Sequence, residues 1–465
     1  MSPQVASPAT AETRARPAWH AVVAAMSKSG GGAIASSLLS AVASKIVAAM
    51  LGPTGTALVS TLQQTRDAAV IAATANGRTA LVQGLSARDP VFRPAYLRTS
   101  ILIFSLGILT AASALVFARE QVGVWAGLSP DESWLVAWLA APVALTSVFI
   151  FLSALANVFG EIGKLAWAQV LVSAVAAAGA WPLMRLVREG TREGLDAWLT
   201  ITALSGLAAG CWMIAKHWTT LRAWIEGPGR WWSWPAARHF FSISGAMIVT
   251  GLLGSVVMLG LRARIIHAEG LNGAGWFDAA WAISMRHVTL VLSSLQTYYL
   301  PLLAGARDIE ERSGQIGRVL MVSTLVMAPL VVALQLANPW VVTLLYADSF
   351  RPAESLLRWT LVGDYLKVTS WVLAMPMLAV ADMKMFLTTD LAAQAVFVGS
   401  YLVLSGMLRP SEGIAIAFVI CYAVNLAICY RYSRRRHAFR PTLALTVVWS
   451  SGLVLVVVAA MLSRP

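Results

Sequence analysis

Eight charged side chains lie inside stretches apolar enough to cross a membrane: the cations Lys45, Arg66, Arg78, Arg286 and Lys367, and the acids Asp67, Asp364 and Asp390. A charge at bilayer depth costs roughly 2.5–3.5 kcal/mol on insertion scales, so such residues normally line a water-filled cavity, pair with one another or mark a solute path. Five cations against three acids make an interior suited to an anion. Arginine narrows that anion's chemistry. Its planar guanidinium grips phosphate oxygens two at a time, and a low-dielectric wall screens the attraction less than water does. A pyrophosphate group is the natural guest.

Helical spacing supports a lined cavity. Gln63, Asp67, Thr74 and Arg78 share one face of a helix, and Asp278, Arg286, Thr289, Ser293 and Gln296 form a second polar stripe. Arg66 and Asp67 are adjacent, so they point about 100° apart and do not simply neutralise each other on the helix. Plainer roles compete. Asp364 and Lys367 stand three apart and can pair to lock helices, Asp390 lies near the inner interface, and Arg78 can snorkel to headgroups.

The elements that must position these side chains are membrane helices. Of 465 residues 58% are hydrophobic and 12% charged, and the mean hydropathy is +0.69, far from soluble composition. Apolar runs of about 20 residues predict spans at 30–50, 57–84, 97–118, 134–158, 165–185 and 195–215. They resume at 238–262, 274–303, 316–337, 357–381, 385–407, 411–430 and 442–462. The organisation expected is a polar, disordered cytoplasmic leader at 1–28, a first lobe at 29–215, a basic, Trp-rich connector at 216–237, a second lobe at 238–430 and a thirteenth span at 442–462. The halves echo each other weakly, Gly52-Pro53-Thr54-Gly55 corresponding to Gly273-Ala274-Gly275 after a gap. Paired halves around a midplane site are a common transporter plan.

The net charge of +13 is a matter of topology rather than of nucleic-acid binding. With the amino terminus inside, inner segments collect about twenty Lys and Arg and outer loops about ten. No compact apolar core in 1–16 marks a cleavable signal peptide. Cys211, Cys421 and Cys429 fall within spans, and no disulfide framework is implied. Several of the 19 Trp cluster near span ends, where interfacial belts explain them better than a sugar-stacking site. His217, His239, His267, His287 and His437 are scattered near span ends without metal-ligand spacing, and Gly160-Glu161-Ile162-Gly163-Lys164 fails as a nucleotide loop, so neither cofactor nor metal is expected. A membrane glycosyltransferase, polymerase or ligase needs catalytic carboxylates or a substantial outer loop. The one carboxylate cluster, Asp308, Glu310 and Glu311, lies in an inner loop beside Arg307 and Arg312 and reads as a solvated face.

Several motifs resemble the Wzx-type O-antigen and polysaccharide flippases of the multidrug/oligosaccharidyl-lipid/polysaccharide exporter superfamily. They are the stretches from Leu51 to Leu58, Leu62 to Asp67 and Ala75 to Leu81, then Ala274 to Ser284 and Thr297 to Pro301, and finally Leu344-Leu345-Tyr346 with Phe350 and Arg358 to Val368. The resemblance implies an all-α integral membrane protein: two pseudo-symmetric six-helix bundles, MATE-like and V-shaped, around a central cationic cavity, here with an extra C-terminal helix. It implies alternating-access transport, not catalysis, of undecaprenyl-pyrophosphate-linked oligosaccharide (an O-antigen, capsule or exopolysaccharide unit) across a bacterial inner membrane. Lys45, Arg66, Asp67, Arg78, Arg286, Asp364 and Lys367 would form the binding cavity, with an ion gradient acting through Asp67 or Asp364. A polysaccharide polymerase and a chain-length regulator are partners by the same resemblance. A peptidoglycan-precursor flippase also carries a pyrophosphate, and charge alone does not separate the two.

Overall fold

The computed structural model describes residues 19–86, 92–125, 127–227, 230–380 and 382–463. Residues 1–18 of the expected leader lie outside the described residues, and the first helix starts inside that leader, at Trp19. Among the described residues the regular structure is entirely helical. The first half comprises α1 (Trp19–Ala73), α2 (Arg78–Ser86), α3 (Phe92–Phe117), α4 (Arg119–Trp125), α5 (Trp134–Trp138), α6 (Ala140–Val158), α7 (Ile162–Arg188) and α8 (Glu193–Ile214). After α9 (Trp218–Glu226) come α10 (Trp234–Ala304), α11 (Ile309–Leu336), α12 (Asn338–Leu345), α13 (Ala353–Ala379), α14 (Met383–Leu404), α15 (Pro410–Arg436) and α16 (Leu443–Leu462).

Two of these helices are really folded pairs. α1 breaks at Gly52 (φ 65°, ψ −165°) and α10 at Gly270 (φ 70°, ψ −177°), a conformation essentially closed to residues with a Cβ. Pro53 then opens the second arm of α1, where its missing N–H is not needed. Each break begins a Gly-x-x-Gly sequence, Gly52-Pro53-Thr54-Gly55 and Gly270-Leu271-Asn272-Gly273. The true counterpart of Gly52 is therefore Gly270 and not Gly273, and the echo between halves needs no gap at this point.

Among the described residues ten stretches are long and apolar enough to cross a membrane, those in α1 and α10 running through both arms. α13 is of membrane length but carries Glu354, Arg358, Asp364 and Lys367, and most of it is buried inside the protein. α16 is 20 residues long where the extra span was expected. It is tied in by Tyr365, whose hydroxyl donates to the Trp449 carbonyl at 2.8 Å, and by Trp449, whose indole donates to Thr369 at 3.2 Å.

Apolar burial, the dominant favourable term, falls among the described residues into five clusters, the two largest lying one in each half. Ala43, Leu62, Val143, Met184 and Leu199 belong to one, and Phe277, Leu357, Tyr365, Phe418 and Val456 to the other. Ala48 and Ala57 of the first half pack into the second core and join the two.

The expected span 57–84 is interrupted. The chain turns over Thr74–Gly77, with Ala75 and Asn76 at positive φ (50° and 46°), before α2 begins at Arg78. The Asn76 side chain donates to the Met247 carbonyl at 2.8 Å, and the Phe240 ring occupies the space a Cβ on Gly77 would need. An aromatic wedge from α10 thus stands where a straight helix would run.

Candidate functional site

The Gly52 and Gly270 breaks meet. The Thr54 hydroxyl bonds to the Asn272 amide oxygen at 2.7 Å, and Gly275 lies so close to the Pro53 carbonyl that a Cβ there would sit 2.1 Å from the oxygen. Lys45 works at this junction, donating to the carbonyls of Thr343 (2.8 Å) and Tyr346 at the end of α12. A cation on the free carbonyls of a helix C-terminus is well placed electrostatically. Lys45 therefore bridges the halves, and its ammonium is committed to backbone.

A cavity of about 300 Å³ lies between α1, α7, α8 and the second arm of α10. Its polar wall is Ser40, Ser44, Ser60, Gln63, Asp278 and Arg286, with Trp198 and Tyr346 as aromatic sides. Arg286 donates from Nη2 to Ser44 Oγ at 2.6 Å and reaches the Ser40 carbonyl at 3.5 Å. Its Nη1 is buried and has no protein partner. A guanidinium with a free donor facing hydroxyls and an amide can take an oxyanion without first losing an ion pair.

The carboxylate of Asp278 on this wall is already neutralised. It forms an ion pair with Arg262, the two side chains being 6% and 1% exposed. Arg262 Nη2 also reaches the Ala57 carbonyl at 3.3 Å. Both partners stand eight residues from Gly270, one on each arm, so folding at that glycine brings them level. Sequence reasoning missed Arg262 because it fell at the very end of the expected span 238–262, where it was not counted as an intramembrane charge; the break at Gly270 sets it level with Asp278.

The remaining sequence-derived residues do not gather around this cavity. Arg66 folds back onto its neighbour, donating from Nε (3.0 Å) and Nη2 (2.7 Å) to one oxygen of Asp67. Their backbones diverge as expected, but the long Arg side chain spans the difference. Asp67, 61% exposed, borders a separate groove of about 300 Å³ with Gln64, Thr250, Gly254 and Ser255. Arg78 is exposed at the start of α2, and the turn before it removes it from the face of Gln63 and Asp67. The stripe on α10 keeps Asp278 and Arg286 in the cavity wall, whereas the side chains of Ser293 and Gln296 lie outside the described residues.

Asp364 and Lys367, three apart on α13, do not pair directly. Asp364 is fully buried, accepts from Ser284 Oγ at 2.9 Å and faces His287 Nε2 at 3.2 Å. Lys367 turns the other way, to Met285 Sδ (3.4 Å) and between the rings of Phe418 (5.5 Å) and Tyr422 (5.4 Å). Cation–π contact substitutes for part of the lost hydration. With Asp390, Trp281 and Asn425 it borders a second pocket of about 250 Å³ within the C-terminal half. Of the five cations, Arg286 lines the cavity between halves and Lys367 a cavity inside one of them.

Comparisons with known proteins agree on the architecture. No family model matches the chain. Over 185 residues it is 20% identical to a lipid III flippase of Escherichia coli (strain K12) and, with the same figures, to one of Shigella flexneri. That stretch is 39% of this chain and 44% of each flippase, so less than half of those relatives is matched. Among solved structures, an inward-facing multidrug resistance MATE family transporter of the MOP superfamily superposes with TM-score 0.67 at 15% identity, over 88% of this chain and 96% of that one. A MATE structure in complex with MaL6 gives TM-score 0.68 at 17% identity over 91% and 96% of the two chains. A MOP superfamily transporter from Pyrococcus furiosus, its binding pocket described as of reverse polarity, gives 0.63 at 15% identity over 90% and 97%. The chain has a MATE-like, all-helical fold.

Proposed function

We propose that this chain is a transporter of the MOP superfamily that moves a pyrophosphate-linked, lipid-anchored oligosaccharide across a bacterial inner membrane by alternating access. The observation that carries the reading is Arg286: a half-buried side chain whose Nη1 is inaccessible and unpartnered, on the polar wall of a cavity between two halves. The weak similarity to lipid III flippases supports a lipid-linked cargo. The undecaprenyl carrier and an O-antigen, capsule or exopolysaccharide repeat unit are the finer part of the proposal.

In this mechanism Arg286 holds phosphate oxygens while Ser40, Ser44, Ser60 and Gln63 meet sugar hydroxyls. The polyprenyl tail stays in lipid between the halves. The junction of Thr54 with Asn272 and of Lys45 with α12 closes the outer end, and opening it releases the headgroup. Arg66, Asp67, Arg78, Asp364 and Lys367 lie away from the cavity wall and act, on this reading, along the entry path or in driving the cycle.

The test is mass spectrometry of polyprenyl-linked sugars in a strain lacking the gene, with wild type or Arg286→Ala restored. Accumulation of one lipid-linked oligosaccharide on the cytoplasmic side, cleared by wild type and not by the variant, is expected. An unchanged pool with normal extracellular polysaccharide overturns the proposal.

A further inference from the structure

The pocket inside the C-terminal half takes one face from each of several helices. α15 supplies Phe418, Tyr422 and Asn425 at i, i+4 and i+7, α14 supplies Thr389, Asp390 and Gln394, and α13 supplies Lys367. Trp281, from the second arm of α10, completes the wall. The rings brace one another edge to face: Trp281 stands 5.0 Å from Phe418 at 69°, and Phe418 stands 4.8 Å from Tyr422 at 73°. Interlocked rings of this kind hold an apolar wall in a fixed shape.

Polar groups of both signs share the cavity with those rings. Among the described residues neither Lys367 nor Asp390 forms an ion pair. The Lys367 ammonium touches a sulfur and two rings and leaves its hydrogens without an oxygen acceptor. Thr389 is 6% exposed, and its Oγ1 has no hydrogen-bond partner. Lysine only donates, an ionised aspartate only accepts, and Thr, Asn and Gln do both. A simple anion would suit Lys367 and be repelled by Asp390; a simple cation would meet the reverse. A hydroxyl donates and accepts, so a neutral polyol satisfies both residues at once. The carbon–hydrogen face of a pyranose matches the aromatic wall. At about 250 Å³ the cavity is smaller than the roughly 300–1,000 Å³ of drug-sized sites, which suits a single ring.

We propose that this pocket binds one neutral sugar ring, its apolar face on Trp281 and Phe418 and its hydroxyls between Lys367 and Asp390. The assignment rests on the transporter reading and gives one ring of the glycan cargo a place inside the C-terminal half.

The pocket adjoins the space between the halves. Gly254 and Met258 border both this pocket and the groove at Asp67, so the first arm of α10 is the partition between them. That partition is thinned at Gly254, where Gln394 Nε2 lies 3.5 Å from the place a Cβ would take. On the groove side Gln64 carries a buried Oε1 without a partner. Hydrogen-bonding groups thus stand on both sides of a thin wall, and movement of that arm during the cycle admits the ring. Arg286 belongs to the other cavity, which it lines with Asp278 and Ala282.

The experiment is saturation-transfer NMR of the full chain in lipid nanodiscs with four neutral probes, the methyl glycosides of glucose, galactose, N-acetylglucosamine and rhamnose. Saturation should pass from the protein to at least one of them. Asp390→Asn and Lys367→Gln should each weaken binding of that probe about tenfold or more, since each removes a hydrogen bond to a charged group. Trp281→Leu should abolish transfer to the ring's carbon-bound protons. Absence of transfer to all four probes overturns the proposal, as does equal binding by wild type and the pocket variants. Binding lost in Arg286→Ala but kept in the pocket variants would put the sugar in the other cavity and overturn it too. Should Trp281→Leu fail to fold, the near-isosteric Asp390→Asn decides. The probes carry neither phosphate nor lipid, so failure here leaves the lipid-pool assay standing, and failure of that assay leaves the sugar affinity of this pocket as measured.

Discussion

Thr54 and Asn272 are hydrogen-bonded to each other at 2.7 Å although they lie 218 positions apart, the same interval that separates the helix breaks at Gly52 and Gly270. They are equivalent positions of the two halves, touching where the folded pairs α1 and α10 meet. If transport opens the protein at this junction, the bond must break in each cycle.

Cysteines placed at both positions, with Cys211, Cys421 and Cys429 replaced, are expected to be joined by a short bifunctional thiol reagent in the resting protein. The linked form should lose transport and regain it on reductive cleavage of the reagent. Full transport by the linked protein would show that this end does not open.

Arg262 and Asp278 form an ion pair, both side chains nearly inaccessible. Removing one partner of such a pair strands a buried charge and costs about 3–5 kcal/mol. Arg262→Met or Asp278→Leu alone should therefore markedly lower the thermal unfolding temperature in detergent. The double variant should recover much of the loss, since it buries no unpaired charge. Equal losses in single and double variants would mean the pair is not what holds the arms of α10 together.

The membrane class and the positions of most helices were legible in the sequence, because apolar length is a local property. Which charges meet was not. Arg66 reaches Asp67 through side-chain length, which a helical wheel ignores. Lys367 turns to Phe418 and Tyr422 on α15, a contact between distant segments. His287 passed for an end-of-span histidine because the partner that gives it meaning, Asp364, is on another helix. The break at Thr74–Gly77 had a signal in the sequence, the turn dipeptide Asn76-Gly77, which was read through as part of one long span; the Phe240 ring packs against it.

His437 follows α15 and is buried with both ring nitrogens unpartnered. Burial, reinforced by Arg312 and Arg436 and opposed by Asp382, pushes its pKa from 6.5 down to about 4. Above 6.5 it is neutral folded or unfolded, so its contribution to stability is fully present. As pH falls from 6.5 toward 4 the unfolded chain takes up a proton that the folded chain refuses, and stability is lost. Thermal unfolding of His437→Gln should accordingly depend less on pH across this window than wild type. Parallel curves for the two proteins would remove His437 from the account of acid sensitivity.

Arg286 can be separated from a mere cation by conservative replacement. Arg286→Lys keeps the charge but loses the planar fork, so it cannot hold Ser44 and a phosphate oxygen together in the same geometry. A hydrogen bond to a charged group is worth about 1.5–3 kcal/mol, which corresponds to roughly a 10–150-fold loss of export rate. Ser44→Ala removes the tether and leaves the guanidinium, and should reduce export far less. Both are read from the rate at which the lipid-linked pool clears after induction. Lysine serving as well as arginine would reduce position 286 to a point charge and remove the case for bidentate phosphate recognition there.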